Sequence, residues 1–225
     1  MPAAEFERLG GETTDWIADY LANVRSFPVF PSLEPGSIRA GLPTEAPEVG
    51  ESMDDILADF RTVVVPGLNH WNHPAFYGYF SVSASGPGIL GEMLTAALNV
   101  NAMVWRSSPV ATELEDVTTD WLRILLGLPE PFEGVINDTA SSSTLYALAA
   151  AREVAYPDVH EDGLFGLPRG RVYASEQAHS SVEKAAMTLG FGRRGYCPVA
   201  TNDRFEMDPA ALVEQRHVLV GLRNL

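Results

Sequence analysis

The chain has 225 residues, 46% of them hydrophobic, and carries 30 acidic against 15 basic residues, for a formal net charge of −15. The hydrophobic fraction can supply a sizeable core, and the ordinary glycine and proline content excludes a fibrous or disordered class. The acidic balance argues against a nucleic-acid partner and against an anionic membrane surface, because both need clustered Lys and Arg. A solvated acidic surface that keeps the protein soluble explains the charge more simply.

Cysteine use and apolar runs bear on the compartment. The single cysteine, Cys197, excludes an intrachain disulfide. The lack of an intrachain disulfide fits a reducing compartment. Residues 1–8 lack the basic region and apolar run of a signal peptide. No stretch reaches the roughly eighteen apolar residues that span a membrane. We therefore expect a cytoplasmic protein without a membrane partner.

The first 80 residues predict helices that need another surface to pack against. A helix is predicted over residues 3–24, followed by a proline-rich irregular stretch over 27–47. Ser52 is placed to cap a second helix, with Asp55 three residues later in the capping-box position, and Pro66 ends that helix. Two helices and an aromatic stretch do not bury a core by themselves, so this segment should lie on the following domain or on a partner subunit.

Beyond residue 80 the pattern predicts an α/β domain. Ser108 and Pro109 form a helix start, as N-cap and first-turn proline. Further helices are predicted from Pro87 and over residues 139–154, 181–189 and 208–215. Short strands are predicted at residues 134–136, 172–174, 196–199 and 218–220. Alternating strands and helices with short links indicate a mostly parallel sheet and a domain boundary near residue 80.

Two polar segments are candidate sites. The Ser- and Thr-rich helix start at residues 138–144 follows a predicted strand, and its free backbone N–H groups suit a phosphate. The alternative is a plain N-cap cluster, and Asp138 would repel a phosphate if it pointed inward. His179 follows the strand at 172–174, at the sheet edge where ligands collect, and could stack on a flat cofactor or move a proton. Alternatively, it caps the next helix.

The remaining candidates are weaker when taken singly. The aromatic stretch from Trp71 to Phe80 could line a pocket for an apolar substrate, or it could be ordinary core packing. Residues 101–115 suggest a structural loop and a helix start. The other four histidines have no metal-ligand spacing with acidic or cysteine partners, so we predict no metal site.

Taken in order, these motifs resemble the group II pyridoxal-phosphate (PLP)-dependent amino-acid decarboxylases, and most closely their aromatic-amino-acid members. The resemblance covers residues 1 to about 214 and rests on HPAFYGYF (73–80), SPVATELE (108–115), WL (121–122), residues 134–152 and QAHSSVE (177–183). It implies an α/β fold of the aspartate aminotransferase type (fold type I). Residues 1–80 would be a helical segment that wraps the partner subunit, 81–215 the first half of the PLP-binding domain, and 216–225 an unassigned tail. It also implies a homodimer that releases CO₂ from an amino acid, and the likeness to the aromatic-amino-acid members favours an aromatic substrate.

The resemblance assigns roles to individual residues. Ala140 and Ser141 match the pair that binds the cofactor phosphate, and His179 matches the histidine that stacks on the pyridine ring near the reacting carbon. The substrate pocket is matched by Trp71, Tyr79, Phe80, Val82 and Met103. Members often have Pro and Thr where this chain has Ser81 and Val82, and a small residue where it has Asp138, so the resemblance leaves the amino-acid substrate open.

Motifs of the family's second half do not occur in these 225 residues. They include the aspartate that pairs with the pyridine nitrogen, the His-Lys pair that attaches PLP, and a loop with a catalytic tyrosine. The single lysine, Lys184, follows Glu183 on a predicted helix, so we expect it to be exposed and unmodified and the chain alone to be inactive. Three hypotheses stay open for the function: a decarboxylase, a PLP-dependent aldehyde synthase, or a non-catalytic fragment that regulates a full-length relative.

Overall fold

A computed structural model describes residues 1–221, with side chains described through residue 215. The chain divides into two compact units, one over Met1–Val100 and one from Asn101 onward. The division between the units lies near residue 100, later than the predicted boundary near residue 80. The helix predicted from Pro87 therefore belongs to the first unit rather than to the second. The assignment of residues 1–80 and 81–215 to separate roles stays a prediction.

The first unit is helical. Its α-helices are α1 (Ala3–Asn23), α2 (Ser37–Ala40), α3 (Met53–Asp59) and α4 (Gly86–Leu98). Ser52 caps α3 as predicted, since its hydroxyl accepts the N–H of Asp55 at 3.1 Å. The chain then continues through a π turn (Phe60–Val64) and a 3-10 turn (Val65–Gly67).

An aromatic cluster around His70 forms a small core in the first unit. The His70 side chain is 2% exposed, and its Nδ1 lies 3.0 Å from the Tyr20 hydroxyl. The Phe27 ring lies 4.7 Å from the imidazole, and Trp16 packs edge-on against Phe60 at 4.8 Å. The segment therefore buries a small core of its own, so the prediction that it could not do so by itself is wrong, because contacts between distant aromatic residues supply that core.

His70 should make the first unit sensitive to acid. Burial lowers the pKa of His70 below its ordinary value of 6.5, and the neighbouring His73 lowers it further. The unfolded chain then binds this proton more readily than the folded chain, so stability rises with pH. We expect the free energy of unfolding to fall as the pH drops below 6.5 and to level off beneath the lowered pKa. Denaturant titrations between about pH 7.5 and 5 measure this.

A His70→Phe variant provides the comparison, since it keeps a ring in the cluster and removes the titrating group. We expect the unfolding free energy of this variant to depend less on pH than that of the wild type. Equal pH dependence in both proteins would contradict the assignment to His70.

The second unit combines helices with a parallel strand pair. The helices are α5 (Pro109–Leu125), α6 (Ala140–Ala155), α7 (Val159–Asp162), α8 (Ser181–Thr188) and α9 (Pro209–Gly221). Strands β1 (Val172–Ser175) and β2 (Tyr196–Val199) pair in parallel, with Val172 opposite Tyr196 and Ser175 opposite Val199. Helix α8 connects the two strands and packs against α6. The core lies between these elements, where Ala185, Ala186 and Val199 are buried.

Two predicted strands are wrong. Residues 134–136 are irregular, and the N–H of Ile136 donates to the Glu115 carboxylate at 2.6 Å rather than to a neighbouring strand. Residues 218–220 belong to α9. Both segments are short apolar runs, which periodicity alone does not assign to strand or helix. In the part of the chain described, no helix combines the length and apolar character needed to cross a membrane.

The predicted cap of α5 gives a stability test. Ser108 is 3% exposed, and its hydroxyl accepts the N–H of Ala111 at 3.4 Å. Ser108→Ala leaves that N–H without its acceptor, so we expect the unfolding free energy to fall by about 1 kcal/mol. The control is the exposed Ser83, which lies outside the helices, and Ser83→Ala should change stability by less than about 0.5 kcal/mol. Equal losses in the two variants, measured by denaturant unfolding, would contradict the capping role.

Candidate functional site

The start of α6 presents two free backbone N–H groups. Thr139 is the N-cap, and its Oγ1 accepts the N–H of Ser142 at 3.2 Å, while its carbonyl accepts that of Ser143 at 3.1 Å. The N–H groups of Ala140 and Ser141 lie in the first turn, where helix geometry supplies no acceptor. Both residues are exposed, as is the neighbouring Asp138. Free N–H groups and the positive end of the helix dipole together suit a phosphate.

Side chains around this turn fix its shape. Asn137 precedes the cap, and its Nδ2 donates to the Ser143 hydroxyl at 3.0 Å. The Thr144 hydroxyl donates to the carbonyl of Ala140 at 2.9 Å. These bonds occupy the surrounding polar groups and leave the N–H groups of Ala140 and Ser141 for a ligand.

His179 lies in the loop between β1 and α8, with its ring exposed. Its Nδ1 accepts the backbone N–H of Ser181 at 3.3 Å and lies 3.0 Å from the Ser181 hydroxyl. Because a backbone N–H can only donate, Nδ1 is an acceptor, and the proton of the neutral ring is assigned to Nε2. The histidine therefore does cap α8, as the structural alternative predicted, while its exposed edge stays accessible.

Helices α6 and α8, which follow the two candidate segments, pack against each other in the second unit. Arg152, near the end of α6, donates from Nη1 to the carbonyl of Leu189, just past the end of α8, at 3.3 Å. Ala140 is in the first turn of α6, and His179 lies in the loop that leads into α8. Both candidate segments therefore lie at the starts of two helices that contact each other.

The aromatic stretch of the first unit is partly core and partly surface. Phe76 is 6% exposed and stacks on Trp71 at 4.9 Å, which in turn stacks on Tyr79 at 5.7 Å. Tyr79 is 89% exposed and has a φ of 56°, in the left-handed region that residues other than glycine seldom adopt. Strain of this kind is concentrated at functional sites.

The other residues matched to the substrate pocket are also at the surface. Phe80 and Val82 continue the exposed stretch after Tyr79, and Met103 is exposed in the second unit. Within the residues described, no group of three or more His, Cys, Asp and Glu side chains is arranged to hold a metal ion.

Two contacts that were not predicted from the sequence shape these segments. Ser181 is 7% exposed and holds the His179 ring, and the signal was a hydroxyl residue two positions after the histidine. Asn72 accepts the N–H of Ala84 at 2.8 Å and so connects the two ends of the aromatic stretch. No local pattern indicates a contact across twelve residues.

Known proteins are similar in sequence to this chain over nearly its whole length. The family described as pyridoxal-dependent decarboxylase conserved domain matches residues 35–219. Aromatic-L-amino-acid decarboxylase of Rattus norvegicus is 39% identical over 239 aligned residues, which cover 99% of this chain and 49% of the rat protein. The chain thus spans about half the length of the curated relatives it matches.

Solved structures also have a similar backbone fold. Catharanthus roseus tryptophan decarboxylase in complex with L-tryptophan has a TM-score of 0.90 and 35% identity, covering 99% of this chain and 47% of that one. Rhodiola rosea 4-hydroxyphenylacetaldehyde synthase has a TM-score of 0.89 and 34% identity, covering 98% of this chain and 49% of that one. The predicted fold class, an incomplete PLP-dependent transferase-like domain, is confirmed.

The donors at the start of α6 fit the cofactor that this likeness implies. A phosphate monoester needs several N–H or O–H donors, and the free N–H groups of Ala140 and Ser141 supply two of them. The exposed ring of His179 precedes α8, which packs against α6. The chain belongs to the pyridoxal-dependent decarboxylase family, whose cofactor is pyridoxal 5′-phosphate.

Proposed function

We propose that these residues are the cofactor-anchoring half of an enzyme that converts an aromatic L-amino acid into its amine and CO₂. The observation that carries this proposal is the pair of free N–H groups at Ala140 and Ser141, on a helix that packs against the one that begins beside His179. The aromatic substrate class is supported by the relatives' names, aromatic-L-amino-acid decarboxylase and tryptophan decarboxylase.

PLP, when bound, supplies an electron sink for the pair of electrons left by the departing carboxylate. The residues of this chain bind and orient it. The N–H groups of Ala140 and Ser141 would hold the phosphate, and the exposed His179 ring would hold the pyridine in place by stacking. Ser181 fixes the orientation of that ring through Nδ1, so Nε2 is the atom that carries the proton toward the substrate.

The substrate side chain is bound by the exposed aromatic stretch. Trp71 and Tyr79 form a stacked pair whose faces suit an aromatic ring, and Phe80 and Val82 add apolar surface in the same unit. Val82 offers no hydroxyl to the substrate or cofactor. A full-length protein carrying these residues, assayed with L-tryptophan, L-tyrosine, L-phenylalanine and L-glutamate, should release CO₂ and amine from the aromatic substrates. Turnover of L-glutamate alone would overturn the substrate class.

A second activity has specific support. The likeness to 4-hydroxyphenylacetaldehyde synthase is as strong, in TM-score and identity, as that to tryptophan decarboxylase. The same assay separates the two activities, because a decarboxylase yields the amine and an aldehyde synthase yields the aldehyde. A non-catalytic fragment, the third hypothesis, would yield neither product, even in a full-length context.

We also propose that the protein acts as a homodimer in the cytoplasm. Large apolar side chains of the first unit, such as Phe6 and Phe30, are more than half exposed and suit a partner surface. Light scattering of the purified full-length protein should give twice the monomer mass, and a monomer at micromolar concentration would contradict this.

Lys184 should not attach the cofactor. It is exposed on α8, and the buried face of that helix carries Ala185 and Ala186 instead. An exposed lysine without a neighbouring base or desolvating pocket is a poor nucleophile at neutral pH. We expect the 225-residue chain, mixed with PLP and reduced with borohydride, to show no stoichiometric label at Lys184 and no CO₂ release. Stoichiometric labelling at Lys184 together with CO₂ release would show the opposite.

A further inference from the structure

Two adjoining cavities open on the surface of the second unit between residues 163–170 and 190–194. The larger cavity has a volume of about 590 Å³, and its lining residues include Arg169, Arg193 and Arg194. The smaller, of about 370 Å³, is lined by Arg152 and shares Leu164, Phe165 and Gly190 with the larger one. We infer that the two cavities together, called the arginine-lined cavity below, bind an organic anion with an apolar body. The inference does not rest on the proposed function.

The charge around the cavity departs from that of the rest of the chain. Three of the 15 basic residues, Arg169, Arg193 and Arg194, line the larger cavity in a protein of net charge −15, and Arg171 donates to the Arg194 carbonyl at 2.6 Å. Among the residues described, the acidic partner is Glu183, whose carboxylate lies 3.6 Å from Arg193. A concave surface lined by one sign of charge concentrates ions of the other sign.

Arg152 places a further guanidinium at the smaller cavity. Its Nη1 donates to the Leu189 carbonyl and its Nη2 to the Glu153 carboxylate, which hold the group in place. Its Nε is buried and out of a ligand's reach, but the side chain as a whole is 23% exposed. A carboxylate or phosphate group at the cavity is attracted to such a charge.

The walls between the arginines are apolar. Phe165 is 96% exposed and Leu167 is 42% exposed at the cavity, so both leave apolar surface in water. The floor depends on glycine, because a Cβ at Gly170 would lie 2.6 Å from the Phe191 ring. The volumes fall in the range of small-molecule sites, roughly 300–1,000 Å³. A ligand that combines an anionic group with an aromatic or aliphatic body covers both kinds of surface.

Benzoate and phenyl phosphate are the probes, with benzyl alcohol as the neutral comparison. We expect at least one anionic probe to bind the 225-residue chain with a dissociation constant below about 1 mM by calorimetry, and benzyl alcohol to bind at least about tenfold more weakly. The double variant Arg193→Gln, Arg194→Gln should weaken the anionic probe by about tenfold or more, because it removes two guanidinium groups and their positive charges. Phe165→Ser should also weaken it.

Matched controls distinguish this cavity from general charge and from the cofactor site. Arg204 is the matched control for Arg193, because their side chains are 79% and 77% exposed and each is paired with a glutamate. Arg204→Gln should leave binding of the anionic probe within about twofold. Ser141→Glu alters the start of α6 and should leave benzoate binding unchanged. Failure of both anionic probes to bind, or equal binding by the Arg193/Arg194 variant with its thermal unfolding unchanged, would overturn the inference.

Discussion

Replacing His179 with alanine, in a full-length protein that carries these residues, should lower kcat by about 10²–10⁴-fold. The imidazole is exposed beside the start of α8, and its Nε2 faces away from the contact with Ser181. Its loss removes the group that orients the cofactor ring and holds a proton near the reacting carbon. The lost contact with the Ser181 N–H resembles a lost helix cap, so stability should fall by about 1 kcal/mol at most. Steady-state kinetics and denaturant unfolding measure the two effects.

His160 is the matched control for this prediction. It belongs to the same unit, its side chain is 61% exposed, and it is assigned no role in the site. His160→Ala should therefore leave kcat within about twofold, as expected of a surface substitution. Unchanged turnover in the His179→Ala protein, or equal losses in the two variants, would reject the role given to His179.

A negative charge at the start of α6 should abolish most of the affinity for PLP. Ser141→Glu places a carboxylate beside the N–H groups that we assign to the phosphate, where it repels the ligand and competes for the same donors. Loss of a charge-assisted hydrogen bond costs about 1.5–3 kcal/mol, so we expect PLP to bind about 10- to 150-fold more weakly. Helix α6 should still form in this variant, because a carboxylate in the first turn interacts favourably with the helix dipole.

The affinity is measured by titrating the chain with PLP and, separately, with pyridoxal, which lacks the phosphate. Ala147→Glu adds the same charge to an exposed position about two turns further along α6 and should change PLP binding by less than about threefold. Pyridoxal should bind both variants and the wild type about equally. Equal PLP affinity in the Ser141→Glu and wild-type chains would contradict the phosphate assignment.

Local chemistry made several elements predictable. Ser52, Ser108 and Thr139 each precede a helix and accept an N–H three residues later, so the start of each helix could be inferred from short-range geometry alone. The order of the motifs around Ala140 and His179 likewise indicated the fold and the cofactor. These signals lie within a few residues of the features they specify.

What could not be predicted depends on contacts between distant residues. The Tyr20–His70 contact joins positions fifty residues apart and gives the first unit a core that its helices alone did not suggest. The Glu115–Ile136 bond occupies an N–H that a strand would have used. The arginine-lined cavity brings together residues 152, 169 and 193–194, which form no motif in the sequence.

The most direct test of the central claim is a crystal structure of this chain with PLP. We predict phosphate oxygens within about 2.7–3.2 Å of the backbone N–H groups of both Ala140 and Ser141, with the pyridine ring against His179. The same structure would show whether the arginine-lined cavity attracts the phosphate instead. A phosphate bound there, or anywhere beyond hydrogen-bond reach of both Ala140 and Ser141, would contradict the account.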